Sequence, residues 1–251
     1  MTMCSVSWLV DRNGYQVFFN RDEQKSRALA LPPQQLNIDG VEVLMPIDPQ
    51  GMGSWISLNE YGLSLCLLNN YQGIVPDGEL VSRGLLLRQL ASNYSVHGVI
   101  HAFKQLELRQ FAPFSLLVFD PELTPELRAV MALEWDGTQS RIHATDSPLF
   151  SSGVDLVAVR DYRLSIYQHL TSKEMSEEQL LKFHTQHHPE YLHMSTCMHR
   201  KDAHTVSFTH LAVTSDDTSM AYVAGCPCLH LTRHALMQYR YRIVGRASLV
   251  S

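Results

Sequence analysis

No apolar run in this chain approaches the ~18 residues that a membrane-spanning helix needs, and the N-terminus lacks a basic segment followed by a long apolar stretch. Neither a membrane span nor a secretory leader is expected, and the chain reads as cytoplasmic. Cysteine is sparse: Cys4, Cys66, Cys197, Cys226 and Cys228 form an odd set of five in 251 residues, unlike an extracellular disulfide framework. Positive charge is also short. Lys plus Arg number 20 against 25 Asp plus Glu, a formal charge of −5, so no whole-molecule field draws in phosphate backbones and nucleic acid is not an expected partner. A phosphate-cradling Gly-rich loop, a Gly-x-Ser-x-Gly elbow and a His-Glu-x-x-His pair are all missing, which disfavours nucleotide hydrolysis, serine-hydrolase chemistry on its usual scaffold and zincin proteolysis. No internal repeat or linker breaks the sequence.

What is present is apolar. Hydrophobic residues are 45% and charged residues 18% of the chain, enough to bury a substantial core in one domain spanning residues 1–251. Ser5–Val10 alternates like a half-buried strand, Tyr15–Phe19 follows, and Asn13-Gly14 between them is a strong hairpin signal, since a type I′ turn needs positive φ at both central residues. Further strands are expected at Glu42–Pro46, Ser54–Ser57, Leu63–Leu68, Phe114–Phe119, Ala129–Trp135, Ser140–Ala144, Thr205–Val213, Met220–Ala224 and Leu229–Thr232. Leu80, Val81, Leu85, Leu86 and Leu90 recur at helical spacing, and Val96–Leu106 gives a second helix. Beyond a loop at Ser151-Ser152-Gly153, Asp155 can cap a third, and Ser176-Glu177-Glu178-Gln179 reads as a capping box opening a fourth. Strand blocks separated by helix pairs, without regular βα alternation, predict an α+β fold of stacked, mainly antiparallel sheets with helices outside.

A two-residue loop at Asn13-Gly14 pairs Arg12 with Tyr15, so Cys4 faces Glu23 and Arg21 faces Val6. Cys4 and Arg21 are then diagonal neighbours on one face, with Asp22 beside them. A nearby Arg lowers a thiol pKa, and a carboxylate can hold an ammonium or orient a base, which makes this a candidate nucleophile site. The alternative is a small apolar Cys4 on an edge strand next to a solvated charged tetrapeptide.

Cys4, the hairpin and Asn20-Arg21-Asp22-Glu23 together resemble the NRDE family, also called the transport and Golgi organisation protein 2 family. More distantly they resemble N-terminal-nucleophile hydrolases of the choloylglycine hydrolase and penicillin acylase type. A second block, Gly53-Ser54-Trp55-Ile56-Ser57-Leu58-Asn59 with Gly62, is similar to the family's Gly-Thr-Trp segment, and Leu68-Asn69-Asn70-Tyr71 stands where the family has Thr-Asn-Tyr. The resemblance implies a four-layer αββα sandwich. It also implies that Cys4 attacks an acyl carbon with its own α-amino group as general base, and that Arg21 and Asp22 arrange thiol and amine. An Asn after the third strand would donate to the oxyanion, where one lost donor typically costs ~2.7–4 kcal/mol. Counting from Asn59 selects Asn69; matching the Asn-Tyr pair selects Asn70. Arg200 corresponds to a distal basic residue.

Met1-Thr2-Met3 precede Cys4, and an amide nitrogen cannot serve as the base, so the catalytic reading expects a mature chain that begins at Cys4. The reaction implied is hydrolysis or acyl transfer on a linear, non-peptide amide of a small or lipid-like acyl group, with no cofactor and no metal. An oligomer is compatible with it. Two rivals stand beside it: an inactive scaffold of the same fold that binds a lipid, haem or metal ligand, and a metal module. In the latter, Cys226, Cys228 and His230 would share one strand face, with Cys197 and His199 as a second pair. Pro227 argues instead for a bend carrying ordinary thiols.

Overall fold

The computed structural model describes residues 3–126 and 129–243. In chain order the strands are β1 (Met3–Asp11), β2 (Gly14–Gln24), β3 (Leu31–Ile38), β4 (Val41–Ile47), β5 (Ile56–Asn59), β6 (Ser64–Asn69), β7 (Phe114–Phe119), β8 (Val130–Trp135), β9 (Ser140–Thr145), β10 (Leu149–Ser152), β11 (Ala203–Thr214), β12 (Thr218–Ala224) and β13 (Arg240–Arg242). The helices are α1 (Arg83–Leu90), α2 (Val96–Lys104), α3 (Leu156–Thr171), α4 (Glu177–Thr185), α5 (Pro227–His230) and α6 (Arg233–Gln238). One sheet runs β10-β1-β2-β11-β12-β13 and the other β3-β4-β5-β6-β7-β8-β9, and every strand pairing in both is antiparallel.

Three apolar layers hold four structural ones together. Cys4, Val6, Trp8, Tyr15, Val17 and Phe19 alternate onto the inner face of the first sheet and meet Trp55, Ile56, Cys66 and Phe119 of the second. The outer face of the second sheet packs Leu65, Leu116 and Leu133 against Leu86, Leu90, Val99 and Phe103 of α1 and α2. The outer face of the first packs Phe18, Phe208 and Val223 against Tyr167, Leu180, Phe183 and Leu236 of α3, α4 and α6. This is the αββα sandwich. As expected from the sequence, Asp155 and Ser176 cap α3 and α4, accepting from the N–H groups of Ala158 and Gln179. Among the described residues no helix is long and apolar enough to cross a membrane.

Several local expectations are corrected. The hairpin loop is Arg12-Asn13, because Asp11 pairs with Gly14. Among the described non-glycine residues Asn13 does not take positive φ; Gly14 does, at 140°, where a Cβ would lie 2.0 Å from the Val213 carbonyl oxygen of β11. The register therefore moves by two residues, and Cys4 stands directly opposite Arg21. Such a shift preserves the face of every side chain. Leu229–Thr232 is not a strand: Pro227 opens the short α5 with Cys226 as its cap, and fixed proline φ suits the first helical position. Ser151 and Ser152 belong to β10, paired with β1, and not to a loop. β3, which carries Pro32 and Pro33, is an edge strand, the place where a sheet tolerates proline.

Candidate active site

The end of the β1–β2 hairpin remote from its turn opens onto a cavity of about 570 Å³ lined by Cys4, Arg21, Asp22, Trp55, Asn69 and Arg83 among others. Four candidates named from the sequence thus border one space. Gly53 builds part of the wall. A Cβ there would meet the Gly84 backbone at 2.2 Å, so only glycine lets the chain before β5 lie on the start of α1, where Ser54 N–H donates to Gly84 O at 3.2 Å. Asn59 of the same sequence block is structural, its Nδ2 donating to the carbonyls of Ala91 and Asn93.

The two charged residues after the hairpin face opposite ways. Arg21 points into the cavity, where its Nη2 donates to Glu23 at 3.1 Å and its guanidinium lies 4.1 Å from the Trp55 ring centre. Asp22 points toward the helices: Thr205 donates its hydroxyl to Asp22 Oδ1, while buried Oδ2 has no hydrogen-bond partner and lies 3.9 Å from Arg163 Nη2. The bulge in β11 between Thr205 and Ser207 aims Thr205 at this carboxylate. Cys4 N–H donates to Ser151 Oγ at 3.1 Å.

In the chain that retains the residues before Cys4, Arg21 does not draw the thiol below the ordinary range. Burial first, then the Asp22 carboxylate, push it up to about 12, outweighing the Asp22 backbone N–H and the Arg21 charge, which act the other way. Arg21 already serves Glu23 and Trp55.

Asn69 and Asn70 are separated. Asn69 lines the cavity and its Nδ2 donates to Tyr71 Oη at 2.7 Å. Asn70 lies past the end of β6, accepts from Gln72 N–H, and borders a smaller cleft of about 180 Å³ that shares Asn69 and Tyr71 with the first. Arg200 does not line the cavity. Its N–H bonds to Ala203 O, and the tight turn folds its guanidinium onto Asp202.

A family model described as Transport and Golgi organisation 2 matches residues 3–204. The chain belongs to this family. None of the curated proteins matches this chain in sequence. Among solved structures, it is similar to the Caenorhabditis elegans ortholog of N-acylethanolamine-hydrolyzing acid amidase, at 12% identity and TM-score 0.52 over 95% of this chain and 100% of that one. A variant of the conjugated bile acid hydrolase from Clostridium perfringens gives 11% and 0.52 over 89% and 92%. Penicillin V acylase from Agrobacterium tumefaciens gives 11% and 0.50 over 88% and 82%. The fold is that of the N-terminal-nucleophile hydrolases.

Sequence reading missed Arg163, the largest fully buried side chain among the described residues. It donates Nη1 to Ser5 Oγ at 2.6 Å, Nε to Met194 O at 2.9 Å and Nη2 to Ser195 O at 2.7 Å, and so ties α3 and the loop before β11 to the back of β1. Its signal in the sequence is its spacing four residues after Val159 and four before Tyr167, which puts it on the buried side of α3.

Burial pushes the Asp22 carboxyl up to about 7, against lowering by Arg163 and Thr205. A carboxyl raised in the folded state is protonated there while ionised in the unfolded chain, so its contribution is present at low pH and is lost as pH rises from about 4 to about 7. Asp22→Asn, neutral throughout, should abolish that loss. The stability of the parent relative to this variant, from urea unfolding, should fall by about 4 kcal/mol between pH 4 and pH 8. A difference that stays flat across that window would show that Asp22 is ionised in the folded chain.

Proposed function

We propose that this protein is an N-terminal-nucleophile amidohydrolase, active once the chain begins at Cys4, on a linear amide whose acyl or amine portion is small and polar. The observation that carries this reading is the setting of Asp22. The register that ends at Cys4 opposite Arg21 makes Asp22 the next residue across from the nitrogen of Cys4, and its Oδ2 is buried without a hydrogen-bond partner. A free ammonium on Cys4 would supply that partner.

In the proposed reaction the α-amine takes the thiol proton as sulfur attacks the acyl carbon. The tetrahedral oxyanion receives a hydrogen bond from Asn69, the ammonium returns the proton to the departing nitrogen, and a thioester forms. Water, deprotonated by the same amine, then releases the acid and restores the thiol. Arg21, held by Glu23 and Trp55, sets the wall against which the acyl group rests.

Charge on the cavity wall supports a polar substrate over a lipid-like one. Arg27 pairs with Asp48 and Arg21 with Glu23, whereas Arg83 donates to the Pro113 carbonyl and has no carboxylate partner among the described residues. An anionic or carbonyl oxygen on the substrate would meet that guanidinium. Loss of a charged hydrogen bond worth ~1.5–3 kcal/mol predicts that Arg83→Met raises KM by about 10-fold or more with kcat little changed. An unchanged KM would remove Arg83 from substrate binding.

The test is a panel of N-acyl amino acids and simple N-acyl amides against protein made to begin at Cys4, with Cys4→Ala as the blank. Acid release that needs Cys4 supports the reading. Its absence across the panel, together with saturable binding in the cavity, would favour the inactive binding scaffold.

A further inference from the structure

The sequence places Cys226, Cys228 and His230 at alternate positions, but α5 breaks that arrangement. His230 is exposed and lies against Gly225, where a Cβ would meet its Cδ2 at 2.5 Å. Instead, Cys228 meets Cys197 and His199. His199 Nε2 is 3.5 Å from Cys197 Sγ and 3.3 Å from Cys228 Sγ, and the three atoms all lie within 4.8 Å of one another.

Those separations match the edge of a coordination tetrahedron. With Zn–S of ~2.3 Å and Zn–N of ~2.0–2.1 Å, tetrahedral angles put sulfur and nitrogen ligands about 3.5–3.6 Å apart. The positions are held by the backbone without help from an ion. Cys197 N–H donates to Gln186 O at 2.9 Å, His199 N–H to Leu192 O at 3.0 Å, and Cys228 N–H to Cys197 Sγ at 3.5 Å. His187 stacks on His199 with ring centres 4.2 Å apart. Cys226, the residue that caps α5 two positions before Cys228, is a further thiol at the same turn.

We infer that Cys197, His199 and Cys228 form a binding site for a soft, tetrahedral divalent ion, zinc by its ligand chemistry, with Cys226 as the fourth ligand after a side-chain rotation. Each thiol that ligates releases its proton to solvent, and His199 binds as the neutral imidazole through Nε2. The site joins the loop before β11 to the turn after β12. Met198, between two ligands, donates its N–H to Thr205 Oγ1 at 2.8 Å, and Thr205 in turn bonds Asp22. The ion therefore clamps the segment that carries Thr205, Met194 and Ser195, and with it the supports of Asp22 and Arg163. The site stands whether or not the protein is a hydrolase.

Full-length protein, reduced and freed of metal by a chelator, should be titrated with cobalt(II) and then zinc(II). One equivalent of cobalt should give a sulfur-to-metal charge-transfer band and the strong visible bands of a tetrahedral centre, which one equivalent of zinc should bleach. Cys197→Ser, His199→Ala and Cys228→Ser should each weaken zinc binding by more than about 100-fold, the upper range for loss of a mere outer-shell partner. Circular dichroism of each metal-free variant separates loss of a ligand from loss of fold, and Cys226→Ser should leave a weaker site with altered visible bands. Cys4→Ala should bind as the parent does. Weak octahedral spectra, full-strength binding by a folded Cys228→Ser, or binding lost with Cys4→Ala would overturn the site. So would native material that lacks metal and is lighter by two hydrogens from a Cys197 disulfide.

Discussion

Iodoacetamide at pH 7 is expected to alkylate Cys4 about a hundredfold faster in protein that begins at Cys4 than in protein that retains residues 1–3. With the amide in place, the thiol is held up at about 12 by burial and by Asp22. Burial penalises a lone thiolate heavily, but a thiolate beside its own ammonium is a neutral pair and suffers far less. The free α-amine, with an ordinary pKa of ~8, can also take the thiol proton directly. A return of the thiol toward its ordinary ~8.5 raises the thiolate fraction more than a thousandfold; the accompanying loss of intrinsic nucleophilicity leaves about a hundredfold in rate. Both forms can be made by cleaving a fusion before Met1 or before Cys4, and labelling followed by peptide mass mapping. Equal rates would mean that Cys4 is a structural thiol and would remove the hydrolase reading with it. Turnover should follow the same division, with Cys4→Ala inactive in either form.

Arg163→Met should lower stability by about 3–5 kcal/mol, the usual result of removing one member of a buried charged pair. The guanidinium donates to the carbonyls of Met194 and Ser195 and to the Ser5 hydroxyl and lies 3.9 Å from the Asp22 carboxylate, so methionine leaves three acceptors without their donor and Asp22 without its charge partner. Asp22 then loses the charge that most lowers its pKa and stays protonated at neutral pH, which limits the damage. For a chain of this size the expected fall in Tm is roughly 6–20 °C. A variant melting within about 2 °C of the parent would show that the helix layer and β1 are held by packing alone.

How much of this was legible in the sequence depends on how far each feature reaches along the chain. The period-two alternation from Cys4 to Trp8 and from Tyr15 to Arg21 placed the thiol and the guanidinium on one face, and the two-residue error in register left that face unchanged. Caps at Asp155 and Ser176 were legible because a cap bonds only three residues onward. The Gly53-Ser54-Trp55 block marked a cavity wall, although the reason for its glycine, the approach of Gly84, was not visible. The Asn69 and Asn70 alternatives separated only when β6 ended between them.

By itself, then, the sequence determined the consequences of local periodicity: that Ser5–Val10 and Tyr15–Phe19 form a hairpin, that Asp155 and Ser176 open helices, and that Cys4 and Arg21 share one face. The tertiary structure decided everything that joins distant segments. Ser151 reaches Cys4 across 147 residues, Arg163 reaches Ser5 across 158 and Thr205 reaches Asp22 across 183. It also decided the charge states, because the cost of ionising Cys4 or Asp22 is set by which layers exclude water from it. Side-chain type names a group that can titrate or ligate; only packing fixes the dielectric around it and the partners within a few ångströms, which is why the Cys4 thiol is high in the unprocessed chain although Arg21 faces it, and why Cys197, His199 and Cys228 meet.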